Sequence, residues 1–402
     1  MLATAPSSRC LSFGIVCALW CLASATQTNL RSKSRFGAAG SASTDFFTPV
    51  FVAPQLTPLQ FLIVSSPAQQ KIVYTELKNF QSTTGRTYAL VDSGLSDPRG
   101  LSFDRDRGVL YVADKAAKRI FRYHVYVDET SSGMRTLSTD GTQLCIMQNA
   151  DTEWVHADVN GDVFYSDATN MTINRIPSGV IDLLARGQYS AGDLTVVSEK
   201  NMEAMSSAQL DAAPTEEPSE EAPHVYAVYE GSINPHVGIP AGVVSDGARL
   251  YWANAQDGKT KGSVAEGQVK PEVTKTTNGS FTAAFPSLSM TSETDLAFGL
   301  ARSNKMVFYS TVIDGLGRVN GLAPGGGLHA FAMGLDAPRG LAWDGDQTLY
   351  VADQAANTVY SFPVGRLVDD APLTQSAVLS GAFGVALFSE HDLAWTMKPM
   401  DA

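Results

Sequence analysis

Two segments far apart in this chain are nearly the same: DPRGLSFDRDRGVLYVADKAAKRIFRY from Asp97 and APRGLAWDGDQTLYVADQAANTVYSF from Ala337. A chain that repeats itself so closely must build one local unit more than once. Each copy has a short apolar strand opened by Pro-Arg-Gly, a tight Asp/Gly turn and a second strand ending Tyr-Val-Ala-Asp. A further turn and a third alternating strand follow. Four weaker copies share the frame: FLIVSSPAQQKIVYTEL, FYSDATNMTINRI, LYWANAQDGKTKGSV and MVFYSTVIDGLGRV. Their second strands end at Ser66, Asp114, Asp167, Asn254, Thr311 and Asp353. The spacing is about 40 to 50 residues, with one longer step after Asp167, and short strands at that period predict an all-β propeller.

The opening strands give a second count. They recur around Gly100, Trp154, Gly242, Gly299 and Gly340, and a last copy, AFGVALFSEHD, starts at Ala382 with no complete unit after it. The N-terminal copy at Phe61 lacks an opening strand. The two halves complement each other, so the C-terminus is expected to donate the innermost strand of the first blade, closing a six-bladed ring over 58–398 without open sheet edges. Glycine suits the innermost strand because backbones converge there. Trp154 departs from that pattern, so its blade either leans outward or fills the channel with an indole.

These units resemble the NHL-repeat family, whose repeat runs Pro-x-Gly, apolar strand, Asp-x-x-Gly, Tyr-Val-Ala-Asp and a basic or amide-rich turn. The match is close at 97–123 and 337–362, recognisable at 154–176 and loose elsewhere, and it covers the chain beyond residue 58. LYWAN at Leu250 is similar to the YWTD blades of extracellular receptors. Both resemblances imply a six-bladed propeller. Neither implies one function, because such propellers serve as binding scaffolds, lactonases, phosphotriesterases and lyases.

Outside the repeats, the first residues read as a signal peptide over 1–25: Arg9 as positive flank, the apolar run Leu11 to Leu22, and a small-residue cleavage site at Ala23-Ser24-Ala25. Residues 26–57 read as a disordered leader; its basic, acid-poor composition leaves a bipartite plastid presequence as the alternative to a secreted or lumenal route. Removal of the signal peptide takes Cys10, Cys17 and Cys21 with it and leaves Cys145, in an apolar strand-like run, as a buried inert thiol. A formal net charge of −12 argues against nucleic acid and anionic membranes. No stretch of the mature chain has the length of a membrane span. Much of the negative charge sits in 198–223, a Pro- and Glu-rich stretch expected to be a solvated loop within the third blade. Asn170 and Asn278 head N-glycosylation sequons in expected loops. The mature chain is expected to be a monomer.

In a propeller, the loops entering each innermost strand and leaving each second strand gather on one face. This places Arg99, Glu153, Ala241, Phe298, Arg339 and Phe383 around the mouth of the channel, with Trp154 and His156 on one inner strand and His236 in a loop of the same face. The resemblance to gluconolactonase-like propellers implies calcium on oxygen ligands, and to peptide-amidating lyases a histidine-held zinc. One carboxylate against two arginines suits neither hard-cation set, and three histidines do not converge. No cofactor and no catalytic or metal-ligating set is therefore expected. Arg99 and Arg339 together can bind a carboxylate or phosphate with forked hydrogen bonds, unless Asp97 and Asp336 neutralise them locally. The recurring second-strand Asp or Asn is read as a turn cap. The expected function is binding of a small anionic ligand or a protein through the upper face. A hydrolase, lactonase or lyase using Glu153 and His156 in the channel is the alternative.

Overall fold

The computed structural model describes residues 60–389, apart from 79–80, 83–84, 132–134, 199–222, 256–261, 271, 276–280, 285, 292–295, 304, 324–326 and 368. The expected signal peptide and leader, Asn278 and nearly all of the acidic loop lie outside the described residues.

Six sheets, antiparallel but for one outer strand in blade 3, follow one another as blades. In blade 1 the innermost strand is Val385–Ser389, followed outward by Gln60–Ser66 and Lys71–Lys78, with Gln81–Ser82 and Tyr88–Val91 at its edge. Blades 2 to 6 start from inner strands Pro98–Asp104, Val155–Ala157, Pro240–Ser245, Leu296–Arg302 and Pro338–Trp343. Phe61 pairs with Phe388 and Val64 with Val385, so the C-terminal strand completes the N-terminal blade. The fold is a six-bladed β-propeller closed between its two ends. Second strands such as Val109–Asp114 and Thr348–Asp353 are buried throughout. Each blade is covered on both faces by its neighbours, which is why these strands read as continuous apolar runs.

The inner-strand glycines are required by close approach. A Cβ on Gly100 would meet the Glu153 carbonyl oxygen at 2.5 Å, and one on Gly340 the Phe383 carbonyl oxygen at 2.6 Å. In blades 2, 4, 5 and 6 the pairing of inner with second strand shifts register at this point, so the dipeptides Arg99-Gly100, Ala241-Gly242, Phe298-Gly299 and Arg339-Gly340 bulge out of their own ladder. A bulge re-aims backbone and side chain together.

Four inner-strand glycine N–H groups, those of Gly100, Gly299, Gly340 and Gly384, link to the next blade in two ways. Where the second strand carries Ala113 or Ala352, the bond is direct: Gly100 N–H donates to Glu153 O at 2.8 Å, and Gly340 N–H to Phe383 O at 2.9 Å. Where it carries serine, a hydroxyl is interposed. Gly384 N–H donates to Ser65 Oγ (2.7 Å), which donates to Arg99 O (2.5 Å). Gly299 N–H donates to Ser310 Oγ (2.9 Å), which donates to Arg339 O (2.7 Å).

Blade 3 departs from the repeat. Between its third strand, Thr172–Ile176, and its fourth, His224–Glu230, lies a helix, Ser178–Ala185, which no helical period in the sequence announces. Asp162 holds its start by accepting the Ser178 N–H at 2.8 Å. Val180, Ile181 and Leu184 pack among Ile146, Met147 and Ala150, wedging the helix between blades 2 and 3. The insertion thus begins at Pro177, well before the acidic stretch. Thr195–Val197 then adds a parallel strand outside His224–Glu230.

Candidate functional site

The second-strand Asp or Asn caps hold the upper-face loops in place. Asp114 accepts backbone N–H groups from Ser96 (2.6 Å), Asp97 (3.0 Å) and Ala117 (3.1 Å), and Asp353 does the same for Asp336, Ala337 and Ala356. Each carboxylate therefore fixes the turn after its own strand and also the loop entering the innermost strand. Asn254 accepts from Gly238 N–H (3.1 Å) and donates to the His236 carbonyl (2.8 Å). These loops deliver the ring residues.

At the ring, two aromatic side chains plug the channel. Trp154 of blade 3 and Phe383 of blade 1 are both buried, with ring centroids 5.2 Å apart, although blade 2 separates their strands. The Cβ-free Gly100 lets the backbone at Glu153 and Trp154 come close to blade 2. The indole therefore fills the channel, and blade 3 does not lean outward.

Above the plug the two arginines differ. Arg99 bonds Asp97 through Nε (3.1 Å) and Nη2 (3.0 Å) and reaches Glu153 through Nη1 at 2.7 Å. Burial opposes its charge, but Asp97 and Glu153 outweigh burial and hold its pKa above the usual value. Lys115 also bonds the Glu153 carboxylate, so that carboxylate is committed twice. Arg339 places its guanidinium carbon over the Phe298 ring, 4.4 Å from the centroid. Its Nε donates to Gln354 Oε1 and its Nη1 to the Pro338 carbonyl, both at 3.2 Å. No carboxylate among the described residues lies within ion-pair distance of it, Asp336 included. Burial first, then Arg99, pushes its pKa down. Sequence equivalence hid this difference: Gln354 stands where blade 2 has Lys115, and no counterpart of Glu153 faces Arg339.

The remaining candidates lie elsewhere. His156 sits below the plug, lining a cavity whose wall does not include Glu153, so the structure does not bring these two together. His236 works through its backbone: its N–H donates to Asn234 Oδ1 and its carbonyl accepts from Trp252 Nε1. Asn170 is exposed in the turn after the second strand of blade 3, where its Nδ2 donates to Asp167 at 2.9 Å. Cys145 is half-buried, and burial pushes its thiol up. At the ring, Phe298, Phe383 and Ala241 offer no side-chain oxygen and Glu153 is held by two cations, a donor set that does not suit calcium or zinc. No helix among the described residues is long and apolar enough to cross a membrane.

Solved structures share this architecture. A chain of the nidogen/laminin complex superposes with a TM-score of 0.52 at 14% identity, covering 82% of this chain and 98% of that one. Virginiamycin B lyase from Staphylococcus aureus with quinupristin (TM-score 0.40, 12% identity, 83% and 89% covered) is looser. So is a gluconolactonase from Xanthomonas campestris (0.43, 13%, 83% and 91%). At these identities the likeness is one of fold. No protein-family model and no curated protein matches the chain.

Proposed function

We propose that this chain is an NHL-like propeller of the secretory route that binds a carboxylate-bearing ligand, free or on a protein surface, at its upper mouth. The observation that carries the reading is Arg339, a part-buried guanidinium stacked on Phe298 without a carboxylate partner among the described residues. A desolvated cation satisfied by one amide oxygen and one backbone carbonyl gains most from an incoming anion, and the planar fork with an aromatic face beside it suits a carboxylate on an apolar body. Glu153 is already committed to Arg99 and Lys115, which supports binding over catalysis. The nidogen/laminin neighbour supports a protein-binding role for a propeller of this shape by analogy of fold alone.

Calorimetric titration of the purified chain with benzoate and with inorganic phosphate at low salt tests this. Saturable benzoate binding, weakened at least about tenfold in Arg339→Met, is the expected result. Absence of benzoate binding, or equal binding to Arg339→Met, would overturn it.

A further inference from the structure

Arg99 and Arg339 are one structural part used twice. Each stands one residue before a ring glycine, and each places its guanidinium carbon over an aromatic ring from the preceding blade. Arg99 is 5.3 Å from the Phe383 centroid and Arg339 is 4.4 Å from that of Phe298. Their backbones are pinned alike, since Ser65 Oγ donates to the Arg99 carbonyl and Ser310 Oγ to that of Arg339. The residue after each second-strand cap, Lys115 or Gln354, is also fixed alike. Its N–H donates to the carbonyl just before the proline, Asp97 O at 3.1 Å or Ala337 O at 2.9 Å. What distinguishes the two places therefore lies in the side chains.

Three positions differ, and at each one blade 6 lacks a charge that blade 2 carries. Two residues before the arginine, blade 2 has Asp97 and blade 6 has Ala337. The carbonyl that receives the glycine N–H from the following blade belongs to Glu153 in one case and to Phe383 in the other. After the cap stands Lys115 or Gln354. In blade 2 the two carboxylates take up Arg99 and Lys115 between them, which makes Arg99 a strut of the fold.

Of the three neutral residues in blade 6, Gln354 is the one whose side chain hydrogen-bonds the arginine. Arg339 Nε only donates, so the amide turns its oxygen towards it, at 3.2 Å. Nη1 goes to the Pro338 carbonyl, while Nη2 has no acceptor among the described residues and is not sealed from solvent. A neutral oxygen at this point orients the guanidinium and leaves its charge uncompensated. A carboxylate would orient it as well and cancel the charge. A lysine, which suits blade 2 because Glu153 is there, would set a second cation beside Arg339.

We propose, on the reading of the upper mouth as a carboxylate site, that Gln354 is its specificity-determining residue. It positions Arg339 with a neutral acceptor and so reserves the guanidinium charge for the incoming anion. The same scaffold then gives a strut in blade 2 and a receptor in blade 6.

The test is calorimetric titration with benzoate at low salt of the purified wild type, Arg339→Met, Gln354→Glu and Gln354→Met. Gln354 is part-exposed, and both replacements are close to it in size. Gln354→Glu supplies the carboxylate that blade 6 lacks and should weaken benzoate at least about tenfold. Gln354→Met stays neutral and loses the oxygen; it should weaken benzoate about threefold, the scale of one hydrogen bond, and move the ¹⁵Nε resonance of Arg339. A purely structural role predicts the opposite order, because glutamate can still accept the Nε–H bond and methionine cannot. Benzoate binding that needs Arg339 but is unchanged in Gln354→Glu, or is weakened more by methionine than by glutamate, would overturn the role of Gln354 and leave the upper-mouth reading standing. No binding to the wild type would overturn both. Should Gln354→Glu not fold, an unmoved Arg339 ¹⁵Nε resonance in Gln354→Met overturns the proposal.

Discussion

Gly340 shows how little freedom one residue of the ring retains. An added methyl would press on the Phe383 carbonyl at 2.6 Å and on Gly384 Cα at 3.0 Å, which are backbone atoms that cannot rotate away. Gly340→Ala should therefore cost about 2–3 kcal/mol, the scale of overpacking, and break the direct bond to Phe383. Gly327→Ala, whose Cβ would meet nothing nearer than 3.6 Å, should stay within about 0.5 kcal/mol. Denaturant unfolding of both variants measures the difference. At the same scale, the capping role of Asp114 and Asp353 was legible from the sequence, because a recurring Asx before a turn has one dominant local use. The fate of Arg99 and Arg339 was not. Their positions are equivalent in the repeat, yet the groups that meet them come from other strands and other blades.

Among the elements, the strand Val385–Ser389 has the largest consequence. It pairs with Gln60–Ser66 along its length and brings Val385 and Leu387 into the core shared by blades 1 and 6, with Phe388 packed towards blade 2. A chain ending at Gly381 should lose the cooperative unfolding transition seen by circular dichroism and elute as aggregates, since a buried strand would become an open edge. Retention of one sharp transition by that truncation would contradict ring closure by this strand. The strand could be inferred beforehand because the N-terminal unit lacks an opening strand and the C-terminal opening strand lacks a unit. The helix Ser178–Ala185 could not. Eight residues are too few to show a period, and its apolar face is specified by the gap between blades 2 and 3, which exists once both blades have formed.

For the whole molecule, pH sensitivity follows from burial. His156 titrates in the folded chain at about 4 because burial disfavours its charged form, whereas it titrates at about 6.5 when unfolded. Below about 6.5 the unfolded chain takes up a proton that the folded chain refuses. Stability is therefore intact above that value and declines as pH falls towards 4, by about 3 kcal/mol in all. His124, held down by burial and by Arg122, adds a loss of the same sign. Asp158 acts oppositely: burial and Asp162 raise its pKa, so its penalty is relieved on acidification, in the lower part of the window. Unfolding free energies measured from pH 7 to pH 4.5 should fall in the wild type and fall distinctly less in His156→Gln. Parallel slopes for the two proteins would place the loss elsewhere.

Repeat number, strand order and the sharing of one blade by the two ends were settled along the chain, because they rest on local patterns that recur and can be counted. The residues at the channel mouth followed from the same counting. Their chemistry did not follow, since it depends on contacts between blades: Trp154 meeting Phe383, Glu153 taken by Arg99 and Lys115, Arg339 left to Gln354 and Phe298. The division of the channel into an upper mouth and a lower cavity arises when six strands, each ordinary alone, converge on one line.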